Sequence, residues 1–173
     1  MFDLSKFKDS VAKNVSLPLS EATKKTWIMR AFGFAKVPML FMTSPKVLVL
    51  NEQECHVQIP FRKFVKNHLG SLYFGAFAVG ADTCVGLLAM EKIFKSPHKV
   101  SMVFKDFSID FLKRAEGPTT FVCEKGQEVT RLFEQALSTG KRVHQSMEGY
   151  ALCKDQVVAR FHLTLSLKKL STP

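Results

Sequence analysis

The sequence predicts an α+β protein in which an antiparallel sheet wraps around one long central helix, preceded by helices at the N-terminus. Three observations lead to this fold class. The 22 residues from Leu69 to Met90 are almost uncharged and contain one acid, Asp82. Stretches on both sides of this run alternate between apolar and polar residues, as strands with one buried face do. No regular alternation of strands and helices appears, which argues against a parallel sheet.

Length and composition agree with a single folded domain. The chain has 173 residues, and domains commonly contain about 100–200 residues. Its hydrophobic fraction of 46%, with 16 Phe, excludes a disordered chain even though the formal net charge is +10. We divide the chain into a helical extension over residues 1–45 and a main domain over residues 46–173.

The N-terminal extension has a helical pattern. A first helical face is predicted before Pro18 and consists of Leu4, Phe7, Val11 and Val15. Ser20 is a suitable N-cap for a second helix, and Pro38 and Pro45 are expected to end the region. The apolar side of that second helix is expected to hold Trp27, Ile28, Ala31, Phe34 and Ala35. We assign this extension a packing role and no chemistry.

The main domain begins with a hairpin over residues 46–60, turning near Asn51. The long helix follows, starting between Leu69 and Phe74 and ending near Phe94. A shorter helix is expected over Glu128–Leu137, closed by Gly140. Further strands are predicted over Lys99–Lys113, Thr119–Glu124, Lys141–Cys153 and Val157–Leu167. In the first of these, one face is expected to hold Val103, Phe107, Ile109 and Phe111.

The apolar run is long enough to cross a bilayer, but a buried helix explains it better. A span needs about 20 apolar residues, yet an acid at its centre costs about 2.5–3.5 kcal/mol, and no second span is present to shield Asp82. The run is also rich in Gly, Ala and Ser. We therefore expect a helix that is buried in a soluble protein, and no membrane span.

The cysteines indicate a reducing compartment. Cys55, Cys84, Cys123 and Cys153 are widely spaced and form no C-x-x-C pair, so free thiols are expected. The N-terminus lacks the pattern of a secretory signal, and we predict a cytoplasmic protein. The histidines do not cluster with acids or cysteines at ligand spacing, so no metal is expected.

The start of the long helix carries the motif of a known family. Asn67, Gly70 and Gly75 are followed by Ala81-Asp82-Thr83. This resembles N-x-x-G-x-x-H-G-G with an acid seven positions after the last Gly, often within L-A-D-T, as in hotdog-fold acyl-CoA thioesterases of the phenylacetyl-CoA thioesterase type. The segment Phe107–Ala115 resembles the family strand that ends in F-L-x-P-A. The resemblance covers roughly Val47–Lys169, and some branches carry an N-terminal extension.

The resemblance implies a hotdog fold, a homodimer or tetramer, and hydrolysis of acyl-CoA to free acid and coenzyme A. It implies that Asp82 faces the thioester across a subunit interface as base or nucleophile. It further implies that the N–H groups of Phe74 and Gly75 form an oxyanion hole at the helix N-terminus, and that Asn67 orients a water or the acyl carbonyl. The substrate-binding residues that it implies include Tyr73 and Thr83.

The sequence departs from the family at the H-G-G triplet, which is Tyr73-Phe74-Gly75 here. Phe74 keeps the backbone N–H but narrows the approach to it, and Tyr73 has a polar tip without an imidazole. Hydrolysis therefore competes with an alternative, the non-catalytic binding of acyl-CoA or acyl-ACP. Without the family, Asp82 would be either a functional acid or a structural one paired with a backbone N–H or a basic side chain.

The positive charge is dispersed over the sequence. A basic rim would attract the phosphates of coenzyme A, and the resemblance places Lys113 and Arg114 near the nucleotide. Coenzyme A would enter as part of the substrate, so no separate cofactor is expected. Nucleic-acid binding is a second alternative that the charge permits, but no recognition motif supports it and no nucleic acid is expected as a partner.

Overall fold

A computed structural model describes residues 20–170 of the chain. The predicted helical face formed by Leu4, Phe7, Val11 and Val15 lies outside these residues. The elements are, in chain order, α1 (Glu21–Lys36), α2 (Pro38–Thr43), β1 (Lys46–Leu50), β2 (Cys55–Ile59), a short 3-10 helix (Lys63–Val65), α3 (Phe74–Lys95), β3 (Val100–Phe111), β4 (Thr119–Cys123), α4 (Gly126–Thr139), β5 (Val143–Cys153) and β6 (Gln156–Lys169).

The strands form one antiparallel sheet in the order β1-β2-β4-β5-β6-β3. The central helix α3 packs against four of these strands, β2, β3, β4 and β6. A six-stranded antiparallel sheet around one long helix is the hotdog arrangement, so the predicted fold class is confirmed. The predicted order of a hairpin, one long helix and four further strands with a helical insert is also observed.

The face of α3 that meets the sheet is built from small and medium side chains. Ala81, Cys84 and Val85 are fully buried there, and they recur at the three- and four-residue spacing of one helical face. Gly80 lies directly against the ring of Phe121 on β4, where a Cβ would collide with that ring. The glycine is therefore required for the close approach of helix and sheet.

Of the helices between residues 20 and 170, α3 alone is long and apolar enough to cross a membrane by length and composition. About half of its most apolar window, 56%, is buried inside the protein. Since this helix also packs against four strands of the sheet, we assign it as the core helix of the fold.

The two N-terminal helices pack beside β1 and α3 and form a second small core. It comprises Met29 of α1, Leu40 of α2 and Val47 of β1, and it contacts Val79 and Leu87 of α3. The N-terminal region is thus attached to the main domain through apolar side chains. The proposed boundary at residue 45 remains a prediction.

Three expectations for α1 and α2 are tested by the structure. Ser20 caps α1 as predicted, since its hydroxyl accepts the Thr23 N–H at 3.3 Å. Pro38 does not end the helical region but begins α2, because proline is tolerated in the first helical turn, where its missing N–H is not needed. Trp27 was expected on the apolar side of α1, but it is 56% exposed, and Met29 is buried instead.

The face predicted for β3 is interrupted by a bulge. The pairing of β3 with β6 shifts between Phe104 and Phe107, and the extra residue reverses the alternation of side chains. Met102, Phe104 and Ile109 consequently pack towards the core, whereas Val103 is exposed. Phe111 is also largely exposed, although its ring contacts Phe77 of α3 at 5.1 Å between centroids.

The cysteines are free, as predicted, and all four are buried. Cys84 on α3 donates a hydrogen bond to the carbonyl of Cys55 at 3.0 Å. Burial raises the pKa of the Cys123 thiol to about 12 and that of Cys84 well above its usual value. These thiols therefore stay protonated at neutral pH and serve as core side chains.

Candidate functional site

The first turn of α3 presents two backbone donors without acceptors. Tyr73 is the N-cap and has an extended backbone, and its carbonyl accepts the N–H groups of Ala76 and Phe77. Within residues 20–170, the N–H groups of Phe74 and Gly75 meet no hydrogen-bond acceptor. Free N–H groups and the partial positive charge of the helix terminus both favour a developing negative charge at this point.

Two aromatic rings flank these donors. Phe74 is 61% exposed and Tyr73 is 44% exposed, with their ring centroids 4.7 Å apart. The Tyr73 ring lies over Gly75, since a Cβ on that glycine would be 2.7 Å from Tyr73 Cε1. The glycine therefore leaves room for Tyr73 beside the two donors.

Asn67 fixes the turn that leads into α3. Its side-chain Oδ1 accepts the N–H groups of Leu69 at 3.0 Å and Ser71 at 3.1 Å. Gly70 occupies the left-handed region at φ 76° within the same turn, a conformation that glycine adopts at little cost. The structure thus places Asn67 as a turn residue beside the helix start, and its predicted role towards water or substrate remains a prediction.

Asp82 lies about two helical turns beyond the free donors. At about 1.5 Å per residue, the seven residues from Gly75 amount to about 10 Å along the helix axis. Solvent reaches the Asp82 side chain in the single chain, and the carboxylate has no hydrogen bond or ion pair among the residues that the structure describes. The apolar protein around it nevertheless desolvates the carboxylate, and this burial raises its pKa above the ordinary value.

Asp82 and Thr83 line a cavity of about 330 Å³ between α3 and the N-terminal helices. The Thr83 hydroxyl donates to the Val79 carbonyl at 2.6 Å, so its oxygen can still accept a hydrogen bond. The structure therefore gathers the predicted residues into two groups. One is the helix start with Tyr73, Phe74 and Gly75, and the other is the cavity with Asp82 and Thr83.

The predicted basic residues lie beside the helix start. The Leu72 N–H donates to the Ala115 carbonyl at 2.8 Å, which brings the segment containing Lys113 and Arg114 next to the first turn of α3. Both side chains are exposed. The Lys113 ammonium donates to the Gln156 side chain at 3.0 Å.

Three further basic residues at this place were missed by the sequence analysis. The segment with Arg62, Lys63 and Lys66 runs along the helix start, because Lys66 pairs with Leu72 and the Val65 carbonyl accepts the Tyr73 N–H. All three side chains are exposed. The sequence signal that could have identified them was their position directly before the motif that begins at Asn67. We call Arg62, Lys63, Lys66, Lys113 and Arg114 the basic rim.

Between residues 20 and 170, no group of three or more His, Cys, Asp or Glu side chains is arranged to hold a metal ion. His68, in the turn before α3, is exposed. The chemistry available at this site is therefore that of backbone N–H donors, one desolvated carboxylate, aromatic walls and a basic rim.

Comparison with known proteins places the chain in a family. The family described as "Domain of unknown function (DUF4442)" matches residues 25–166. The chain belongs to this family. The match begins within α1, so the DUF4442 region includes most of the described N-terminal helices. A search of curated proteins finds no match.

Solved structures share the DUF4442 fold at low sequence identity. A Pseudomonas aeruginosa protein named "Probable Thioesterase" has a TM-score of 0.67 and 19% identity, covering 90% of this chain and 100% of that chain. The Haemophilus influenzae thioesterase HI1161 has a TM-score of 0.62 and 12% identity, covering 89% and 94%. A Chlorobaculum tepidum protein of unknown function has a TM-score of 0.73 and 11% identity, covering 86% and 97%. These similarities show a thioesterase-like hotdog fold.

Proposed function

We propose that this protein hydrolyses acyl-CoA thioesters to a free acid and coenzyme A. The observation that carries the proposal is the presence of two complementary groups on one helix. The N–H groups of Phe74 and Gly75 meet no acceptor within residues 20–170, and Asp82 is a carboxylate without a partner there. Thioester hydrolysis needs such a pair, a donor for the oxyanion and a base for water.

The reaction begins when Asp82 accepts a proton from a water molecule. The water oxygen attacks the thioester carbonyl carbon, and the N–H groups of Phe74 and Gly75 bind the oxyanion that forms. The C–S bond then breaks, and the thiolate of coenzyme A takes up the proton held by Asp82. The raised pKa of Asp82 suits both proton transfers, because it lies closer to neutral pH than that of an ordinary carboxyl.

This mechanism needs a second copy of the chain. Asp82 and the N–H of Gly75 are separated by about 10 Å along α3, too far for both to contact one carbonyl group. A second α3 running in the opposite direction would bring its free N–H groups to Asp82. The exposed edge strand β3 supports such pairing, since Val103 and Phe107 are 48% and 39% exposed. We therefore propose a homodimer, or a tetramer built from such dimers.

The basic rim supports coenzyme A as the carrier of the acyl group. Its five basic side chains surround the start of α3, where the thioester must lie in this mechanism. Their positive charge would attract the pyrophosphate and the 3′-phosphate of the nucleotide. An acyl carrier protein also presents a phosphorylated arm, and the same rim would serve it.

The proposal is tested by measuring thiol release from acyl-CoA substrates of four to sixteen carbons. We expect hydrolysis by the unmodified protein and a fall in kcat/KM of about 10²–10⁴-fold for Asp82→Asn, the usual contribution of a general base. Asp155→Asn is the matched control, since Asp155 lies in the β5–β6 turn and not at the site. Binding of acyl-CoA without thiol release would instead support a non-catalytic acyl-CoA-binding protein.

A further inference from the structure

The apolar cavity beside Asp82 has two walls of different origin. One wall is a face of α3, and the other comes largely from the N-terminal helices, with Leu50 of β1 and Met102 of β3 completing the lining. Apart from a few polar groups the surface is apolar. The lining includes Ile28 of α1, Leu40 of α2, and Asp82, Gly86, Met90 and Phe94 of α3.

The α3 residues of this wall form a single stripe along the helix. Asp82, Gly86, Met90 and Phe94 follow one another at four-residue spacing, which keeps them on one helical face. The α3 residues that line the cavity run from Asp82 to Lys95, and Glu91, which belongs to an ion-pair cluster, lies nine residues beyond Asp82. Nine residues at about 1.5 Å each make this distance about 13 Å.

An ion-pair cluster lies at the far end of the cavity. Glu91 contacts the ammonium of Lys25 at 3.2 Å and that of Lys95 at 3.4 Å. Lys25 also donates to the Leu50 carbonyl at 3.0 Å. This cluster ties α1 to α3 and β1, and an apolar chain that entered beside Asp82 would have to stop there.

We propose that α1 and α2 form one wall of an acyl-chain channel that begins at Asp82 and ends at the Lys25–Glu91–Lys95 cluster. An extended alkyl chain advances about 1.3 Å per carbon–carbon bond of about 1.5 Å. A channel of about 13 Å therefore accepts a straight chain of about ten carbons. The substrate class is a medium-chain fatty acyl group. This inference rests on the proposed hydrolysis, and it assigns a role in substrate selection to the N-terminal helices.

Substitutions at Gly86 and Ile28 narrow the channel from one wall at a time. Gly86 lies midway along the stripe, and a Cβ there would come no closer than 3.9 Å to Met102 and Phe104. Gly86→Leu would fill the channel from the α3 side and Ile28→Phe from the α1 side. Gly86→Ala is the milder variant should the larger side chain disturb folding. Trp27→Phe is the matched control, because it also places Phe on α1 but at an exposed position outside the cavity.

The experiment compares kcat/KM for decanoyl-CoA with that for butyryl-CoA. We expect the ratio to fall about tenfold in Gly86→Leu and in Ile28→Phe, the lower end of the effect of one methylene in an apolar pocket. Gly86→Ala should lower the ratio less, and Trp27→Phe should leave it unchanged. An unchanged ratio in Ile28→Phe would overturn the proposal, even if hydrolysis itself is observed.

A second measurement separates this inference from the proposed function. Binding of decanoic acid is measured by calorimetry for the same four variants and requires no hydrolysis. If no acyl-CoA is hydrolysed but Ile28→Phe weakens decanoate binding relative to Trp27→Phe, the channel stands and the hydrolytic function fails. Equal binding of decanoate to Ile28→Phe and Trp27→Phe would refute the channel. So would a failure of decanoate to bind to the unmodified protein and to both of these variants.

Discussion

At the scale of single residues, Asp82 is the exceptional group in this protein. It is the one acid in the apolar run from Leu69 to Met90, on a helix that meets both the sheet and an apolar cavity. Burial raises its pKa, and no partner within residues 20–170 compensates its charge. Residues that are unfavourable for stability and positioned beside a cavity are typical of functional sites. The contrast with Asn67 is informative, because both oxygen contacts of Asn67 stabilise a turn.

We expect Asp82→Asn to stabilise the protein while it lowers hydrolysis by about 10²–10⁴-fold. A carboxyl whose pKa is raised in the folded state binds its proton more tightly there than in the unfolded chain, so its contribution to stability is largest at low pH. That contribution is lost as the pH rises through the folded-state pKa. Asn cannot ionise and avoids the loss.

Thermal unfolding at pH 4 and pH 7 measures this effect. The difference in Tm between Asp82→Asn and the unmodified protein should be larger at pH 7. Asp155→Asn, at the exposed β5–β6 turn, is the matched control for this comparison. A Tm difference that shrinks between pH 4 and pH 7 would contradict the assignment.

At the scale of elements, α3 contacts two different environments, the sheet and the cavity. One side packs on the sheet at close range, with Gly80 against Phe121, and the other side lines the cavity, with Gly86 at its centre. Gly80 and Gly86 lie six residues apart on α3, but glycine is present at the two positions for different physical reasons. Gly80 is required for contact between helix and sheet, whereas Gly86 leaves space that the fold itself does not need.

This difference predicts opposite effects of the same substitution on stability. Gly→Ala inside a helix is normally favourable by about 0.5–1 kcal/mol, but crowding a packed core costs about 1–3 kcal/mol. We expect Gly80→Ala to lower the free energy of unfolding by up to about 2.5 kcal/mol, the difference between these terms. Gly86→Ala should raise it slightly. Urea unfolding of both variants is the measurement, and a destabilised Gly86→Ala would show that the cavity wall is tightly packed.

At the scale of the whole molecule, β3 is an edge strand of 12 residues with exposed apolar side chains. The opposite edge, β1, is shorter and lies beside the N-terminal helices. A long apolar edge favours pairing with another chain, and two-fold dimers are the commonest symmetric assemblies. The proposed site also requires a second copy, so assembly and activity should depend on the same strand.

We expect light scattering to give a dimer or a larger even assembly. Phe107→Lys on β3 should shift the protein towards monomer and lower hydrolysis in parallel, because a charge on the paired edge opposes association. Leu48→Lys on β1 is the matched control at the other edge, where Leu48 is 44% exposed. A monomeric unmodified protein that retains full activity would exclude the two-chain site.

Most elements followed from local patterns. The hairpin of β1 and β2, the helix α3 and the long strand β6 were all predicted, because side-chain alternation and helical spacing are set by each segment itself. The bulge in β3 and the start of α2 at Pro38 were not predicted. A bulge depends on the strand that lies opposite, and the local sequence pattern of one strand does not show which strand that will be.

The candidate site was likewise predicted only in part from the sequence. The sequence by itself determined the α+β class and the central helix with Asp82 in its apolar run, since these follow from spacing along one segment, and the resemblance of its motif implied the hotdog arrangement. Only the tertiary structure decided that the N–H groups of Phe74 and Gly75 meet no acceptor between residues 20 and 170, that Arg62 and Lys66 join the basic rim, and that α1 and α2 line a cavity beside Asp82. These features arise where segments distant in sequence meet, and such contacts depend on packing in three dimensions rather than on local pattern.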